Sequence, residues 1–134
     1  TSVVTSVLSG MGIRVYLCGR DLSKVSNRAL ELNVELWQGE SVDLFVNATP
    51  ASESPLDDAV NMVEALKDCK IAFDHEMPGK YLKEYCDAHN IFHIPGEKMY
   101  YPQMEAQWSL FLEGVVDKSG VADLLKRADE LKDK

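Results

Sequence analysis

Basic residues are in short supply: the 134-residue chain carries 14 Lys and Arg against 22 Asp and Glu, a formal net charge of −8. A duplex nucleic-acid binder needs a basic face to neutralise phosphates, and this balance excludes that class. An anionic cofactor remains compatible, because one local Arg or Lys with a few backbone N–H groups is enough to hold it. Long apolar runs are also missing. None approaches the roughly 20 residues of a membrane span, and Thr1–Met11, though apolar, lacks the basic start and cleavage site of a secretory signal. Cysteine is sparse: Cys18, Cys69 and Cys86 lie far apart without a CxxC. That pattern fits a reducing cytoplasm, and each reads as a small apolar residue with no activating neighbour. The chain has no Ser-His-Asp set, no paired catalytic carboxylates and no metal-spaced His/Cys cluster. His89 and His93 are four apart, but a helix end at Asn90 falls between them, so they do not share a helix face. Repeats, linkers and low-complexity tracts are absent too. With an apolar fraction of 46%, the sequence reads as one globular domain over residues 1–134.

What is present is an alternation of helical and extended patterns. Thr1–Met11 places Val3, Val4, Val7, Leu8 and Met11 at helical spacing. Ile13–Cys18 alternates as a strand and ends at Gly19-Arg20-Asp21. Asp21 is a good N-cap for a helix over Leu22–Leu32, with Val25, Ala29 and Leu32 on one face. Val34–Trp37 and Val42–Ala48 read as strands, Ala51–Pro55 as a loop, and Leu56–Lys67 as a helix with Val60, Met62, Val63 and Leu66 as its apolar set. Lys70–Phe73 is a strand; Gly79–Ala88 is a helix burying Tyr81, Leu82, Tyr85 and Cys86; Ile91–Ile94 is a strand stopped by Pro95-Gly96. Tyr100–Val116 reads as a long helix with Pro102 in its first turn, and Ser119–Lys132 as a terminal amphipathic helix. Strands alternating with helices predict an α/β fold: right-handed crossovers and a parallel sheet covered on both faces.

The stretch Val42–Pro50, VDLFVNATP, is the pivot of this pattern. An apolar run ends abruptly in Asn47-Ala48-Thr49-Pro50, which reads as a buried strand opening into a loop. In open α/β sheets the loops at the carboxyl ends of strands bind ligands, and Asn47 and Thr49 carry short polar side chains suited to that.

Four segments, in order, resemble the cofactor half of the shikimate/quinate dehydrogenase family. VYLCGRDLSK resembles its strand and Asn-Arg-Thr-x-x-Lys/Arg turn, and VDLFVNATP its Asn-Ala-Thr-Pro strand end. AFDHEMP resembles its Asp-x-x-Tyr-x-Pro segment, and GEKMYYPQMEAQWSLF its Gly-x-x-Met-x-x-x-Gln-x-x-x-Gln-Phe helix. The resemblance covers about residues 1–116. It implies a Rossmann-like parallel sheet flanked by helices, lacking here the first strand and Gly-rich loop, so that the chain is expected to be part of a longer or divergent enzyme. The family's catalytic Lys and Asp belong to an amino-terminal domain not represented in this sequence, and no catalytic residue is expected within it. In the family's strand order the first strand lies between those at Ile13–Cys18 and Val42–Ala48. The expectation is therefore either a split sheet with a gap there or direct pairing across it.

By the same resemblance, NADP is the expected cofactor. Gly19 and Arg20 stand beside the adenosine ribose, and Arg20 with Lys24 looks like the clamp that selects a 2′-phosphate. Asn47, Ala48 and Thr49 look like the cofactor-contacting strand end, His75 a residue near the nicotinamide, Gly96 a close backbone approach to it, and Met99 packing around the ring. Gln103 is the expected substrate-binding residue, with Gln107 one turn later. AFDHEMP is one residue short and has no Tyr where the family hydrogen-bonds the substrate carboxylate. The implied reaction is reversible, NADP-dependent reduction of 3-dehydroshikimate to shikimate in aromatic amino-acid biosynthesis, in the cytoplasm, with a small-molecule substrate and neither nucleic acid nor membrane as partner. The alternatives are a non-catalytic nucleotide-binding or interaction domain, and a Rossmann dehydrogenase for another small hydroxy acid.

Overall fold

The structure is a computed structural model, and it describes residues 2–50, 56, 60–77 and 79–132. Their elements run α1 (Ser2–Gly10), β1 (Tyr16–Leu17), α2 (Leu22–Leu32), β2 (Glu35–Leu36), β3 (Leu44–Asn47), α3 (Val60–Leu66), β4 (Ile71–Asp74), α4 (Lys80–His89), β5 (Phe92–Ile94), α5 (Glu97–Phe111) and α6 (Lys118–Lys132). The expected loop Ala51–Pro55, and the expected helix start just after Leu56, lie outside the described residues.

Helix boundaries follow local chemistry. Asp21 caps α2, its carboxylate accepting from Lys24 N–H at 3.1 Å. The carboxyl ends of α2 and α4 are built alike. Asn33 and Asn90 both adopt left-handed backbone (φ 52° and 57°), and the next residue's N–H turns back into the helix, Val34 to Ala29 O at 3.0 Å and Ile91 to Cys86 O at 2.9 Å. Asparagine tolerates that conformation better than other residues with a Cβ. Asp117 opens α6, with Oδ1 accepting from Gly120 N–H at 2.7 Å and from the Ser119 hydroxyl at 2.7 Å; these bonds hold its carboxyl below the usual range.

The strands form two parallel sheets, not one. β1 pairs with β2, and β3, β4 and β5 pair in that order. Of the two arrangements expected around Ile13–Cys18 and Val42–Ala48, the split occurs: no bridge joins β1 to β3. The strands are also shorter than their patterns suggest; the six-residue alternation from Ile13 yields a two-residue β1. In a two-stranded sheet each strand has a single ladder partner to extend it.

Register and pleat sort the larger sheet into two faces. Phe45 lies beside Ala72, which lies beside His93, and Asn47 lies beside Asp74. This face is covered by α3 and α4, which both cross from strand to strand in the same direction and so fall on the same side. The buried cluster of Phe45, Met62, Ala65, Leu66, Ala72, Leu82 and Cys86 fills the space between. The other face carries Leu44, Val46, Ile71, Phe73, Phe92 and Ile94, and Phe92 is 67% exposed. Val46, Phe73 and Ile94 are half-buried, so among the described residues this second face is covered in part where cover of both faces was expected.

Two helices also depart from expectation. Of the apolar set of α1, Val3 (76%) and Val7 are exposed and Val4 and Leu8 only half-buried, Met11 just beyond the helix is 71% exposed, and the buried residue is Thr5. α5 begins one turn earlier than expected: Lys98 N–H bonds Pro95 O, and the Met99 and Tyr100 N–H groups bond Gly96 O, all at 3.0 Å. Pro102 is thus inside the helix rather than in its first turn. Among the described residues no helix is long and apolar enough to cross a membrane.

Candidate functional site

The carboxyl ends of β3 and β4, with the start of α5 after β5, carry a connected set of polar groups. Asn47 ends β3 and Asp74 ends β4, opposite one another in register. Both are buried, Asn47 2% and Asp74 0% exposed. Asn47 Nδ2 donates to Asp74 Oδ1 at 2.8 Å. The same Oδ1 accepts from Glu76 N–H at 3.1 Å, turning the chain sharply after β4. Asn47 Oδ1 accepts from Thr49 N–H at 3.1 Å and from the Thr49 hydroxyl at 2.8 Å. His75 N–H extends the β3–β4 ladder by one bond, to Asn47 O at 2.9 Å.

Two glycines close this edge. A Cβ at Gly96 would lie 2.9 Å from His75 O and 3.0 Å from Asp74 O, so the turn after β4 packs directly on the start of α5. Gly79, at φ 56°, places its α-carbon against the second carboxylate oxygen of Asp74. It precedes α4 and supplies no capping side chain. A carboxylate beneath the first turn of a helix is favoured by the helix dipole, which helps this acid to stay buried. Among the described residues, Asp74 Oδ2 and His93 Nε2 are the buried side-chain polar atoms without a hydrogen-bond partner. Burial lowers the pKa of His93, with the charge of Asp74 acting in the opposite direction.

The residues expected to contact a cofactor fall into three groups. Asn47 and Gly96 are drawn inward. The amide of Asn47 joins Asp74 to Thr49, and the protein's own turn after β4 leaves no room for a Cβ at Gly96. Thr49 and His75 are exposed at the strand ends, with Ala48 and Met99 partly covered. Gln103 and Gln107 are exposed one turn apart on α5.

Gly19, Arg20 and Lys24 belong to the other sheet, at the end of β1 and the start of α2. Gly19 packs tightly on α2, where a Cβ would meet Val25 Cγ2 at 2.8 Å. Arg20 is exposed and has no ion pair among the described residues. Lys24 is exposed and pairs with Asp21 at 3.4 Å. In the first turn of α2 the N–H of Lys24 is already taken by the Asp21 carboxylate.

Asp74 and His93 are the residues whose part in this edge the sequence reading missed. Their signal is positional: each is a polar residue on the buried face, in phase with Ala72. Cys69 and Cys86 are buried close by, and burial pushes the Cys86 thiol up to about 11, so it stays protonated at neutral pH. A separate apolar cavity of about 350 Å³ lies between α5 and α6, lined by residues including Tyr100, Met104, Trp108, Val121 and Leu125. It shares no residue with the polar edge. No cluster of three or more His, Cys, Asp or Glu capable of holding a metal exists among the described residues. Compared with known proteins, the chain matches no family model and no curated sequence.

Proposed function

We propose that this chain is the cofactor-binding part of an NADP-dependent oxidoreductase of the shikimate/quinate dehydrogenase type, its parallel sheets arranged in a Rossmann-like manner. The observation that carries the reading is the convergence of Asn47, Thr49, Asp74, His75 and Gly96 on one edge, at the carboxyl ends of three parallel strands. Ligands of open α/β sheets sit at such edges. The four motifs named above add the chemical identity. In this reading Arg20 takes the 2′-phosphate, Thr49 and His75 flank the ribose and nicotinamide, and Gln103 offers a donor and an acceptor to a ring hydroxyl of 3-dehydroshikimate or shikimate. When bound, the nicotinamide supplies the hydride; these side chains bind and orient.

Calorimetric titration with NADP+ and NAD+ tests this. The wild-type chain is expected to prefer NADP+, and Arg20→Ala to lose about tenfold or more in NADP+ affinity while NAD+ is little affected, the scale of a lost charge-assisted contact. Equal affinities for the two cofactors, unchanged in the variant, would remove the NADP assignment. A nucleotide-binding domain without catalysis is the second reading, favoured by the absence of a Tyr in AFDHEMP. NADP+ binding with no effect of added shikimate would support it.

A further inference from the structure

We propose that Asp74 is a positioning residue: its buried carboxylate fixes the orientation of the Asn47 amide, and through it the amide and hydroxyl of Thr49. What Thr49 touches rests on the cofactor-site reading; the link from Asp74 to Thr49 does not.

An Asn side chain fits a site of this shape in two orientations, with oxygen and nitrogen exchanged. The surroundings select one. Asp74 Oδ1 already accepts from the backbone N–H of Glu76 at 3.1 Å, so it presents an acceptor to its neighbour. The amide nitrogen of Asn47 must face it, and does, at 2.8 Å. The amide oxygen is then turned toward Thr49, where it receives both the backbone N–H and the hydroxyl proton. In the opposite orientation an NH2 group would meet the Thr49 N–H and an oxygen would meet the carboxylate. Asn47 and Asp74 are both buried, so water does not compensate the contact of the amide oxygen with the carboxylate. The strand itself is held separately, by the β3–β4 ladder and its extension from His75 N–H to Asn47 O. Removing the carboxylate therefore releases a side-chain orientation rather than the strand.

The test combines two readouts on the full 134-residue chain: NADP+ affinity by calorimetry and hydrogen exchange of the Thr49 amide by NMR without ligand. Asp74→Ala is expected to speed exchange at Thr49 and to weaken NADP+ binding about tenfold. Asp74→Asn, which keeps an oxygen acceptor, is expected to restore both to within about threefold of wild type, since neutral acceptors are weaker but still orient. In an Asn47→Ala background, Asp74→Ala is expected to add nothing to the loss of affinity while still lowering stability, which separates positioning from folding. Should Asp74→Ala not fold, Asn47→Ala alone reads the link from the other side and is expected to loosen Thr49 equally. Unchanged Thr49 exchange in either alanine variant, or additive losses of affinity in the double variant, would overturn the proposal. If wild type binds no NADP+, the cofactor reading fails, and the exchange measurement still decides the link.

Discussion

At position 93, a histidine side chain is packed into the face that α4 covers, and one of its ring nitrogens has no partner among the described residues. Burial lowers its pKa below the ordinary 6.5, against the pull of Asp74; Lys83 lowers it further, and Asp87 and Glu97 raise it. A folded-state value below the unfolded one means that the unfolded chain takes up the proton more readily. The stability gained by keeping His93 neutral is present above pH 6.5 and is lost as the pH falls through the lower, folded value. Urea midpoints measured between pH 7.5 and about 5 are expected to fall for wild type and to fall less for His93→Gln. A parallel decline in both would assign the loss to other groups. His93 also marks a limit of sequence reading. Sequence spacing shows only that His93 shares no helix face with His89; its environment depends on the pairing of β5 with β4, which no local spacing reveals.

Among the helices, α4 best shows how a local rule and a tertiary contact combine. The sequence places this helix over Gly79–Ala88 with Tyr81, Leu82, Tyr85 and Cys86 buried; it runs Lys80–His89 with Gly79 at its N-cap, Leu82 and Cys86 are buried, and Tyr81 and Tyr85 are half-buried. The reason for the glycine was not legible. It lies in the left-handed conformation and abuts the carboxylate of Asp74, a residue five positions back. Gly79→Ala is expected to destabilise the chain by about 1–3 kcal/mol, from backbone strain together with displacement of the buried acid. Thermal unfolding measures it, and a shift no larger than that of an alanine at an exposed helix position would contradict the argument. α5 shows the converse. Pro102 suggested a helix starting near Tyr100, because proline is tolerated in a first turn. The bonds from Lys98, Met99 and Tyr100 back to Pro95 and Gly96 instead start the helix at Glu97 and place the proline within it. α2 was legible from Asp21 to Leu32 because both of its ends are fixed by residues adjacent in sequence.

Across the whole molecule, the order and kinds of elements were legible from periodicity, and the parallel sense of the strands from their alternation with helices. The division into two sheets was open between two arrangements, since pairing between distant strands is settled by tertiary contacts. The outward face of α1 was not legible at all: Val3, Val7 and Met11 sit at helical spacing whether or not a surface covers them. The polar edge was half legible: Asn47 and Thr49 from their place after an apolar run and Gly96 from the resemblance, whereas the part of Asp74 and the packing of Gly96 on the turn after β4 depend on strand register.

Among the described residues the buried cluster runs from Phe45 to Ile91, and Trp37, just after β2, is a partly buried residue packed against it. Regions whose buried residues belong to separate sets, Leu17 and Ala29 in the β1–α2–β2 region and this cluster in the β3–β5 region, need not melt together. Protection of backbone amides is expected in two tiers, with residues of β1, α2 and β2 exchanging through a sub-global opening well below the free energy of complete unfolding. The Trp37 indole, whose N–H bonds Glu40 O at 2.8 Å, is then a built-in optical reporter of that opening. In a Trp108→Phe background its emission is expected to shift at lower denaturant than the far-ultraviolet circular dichroism, whereas coincident transitions would show a single cooperative unit.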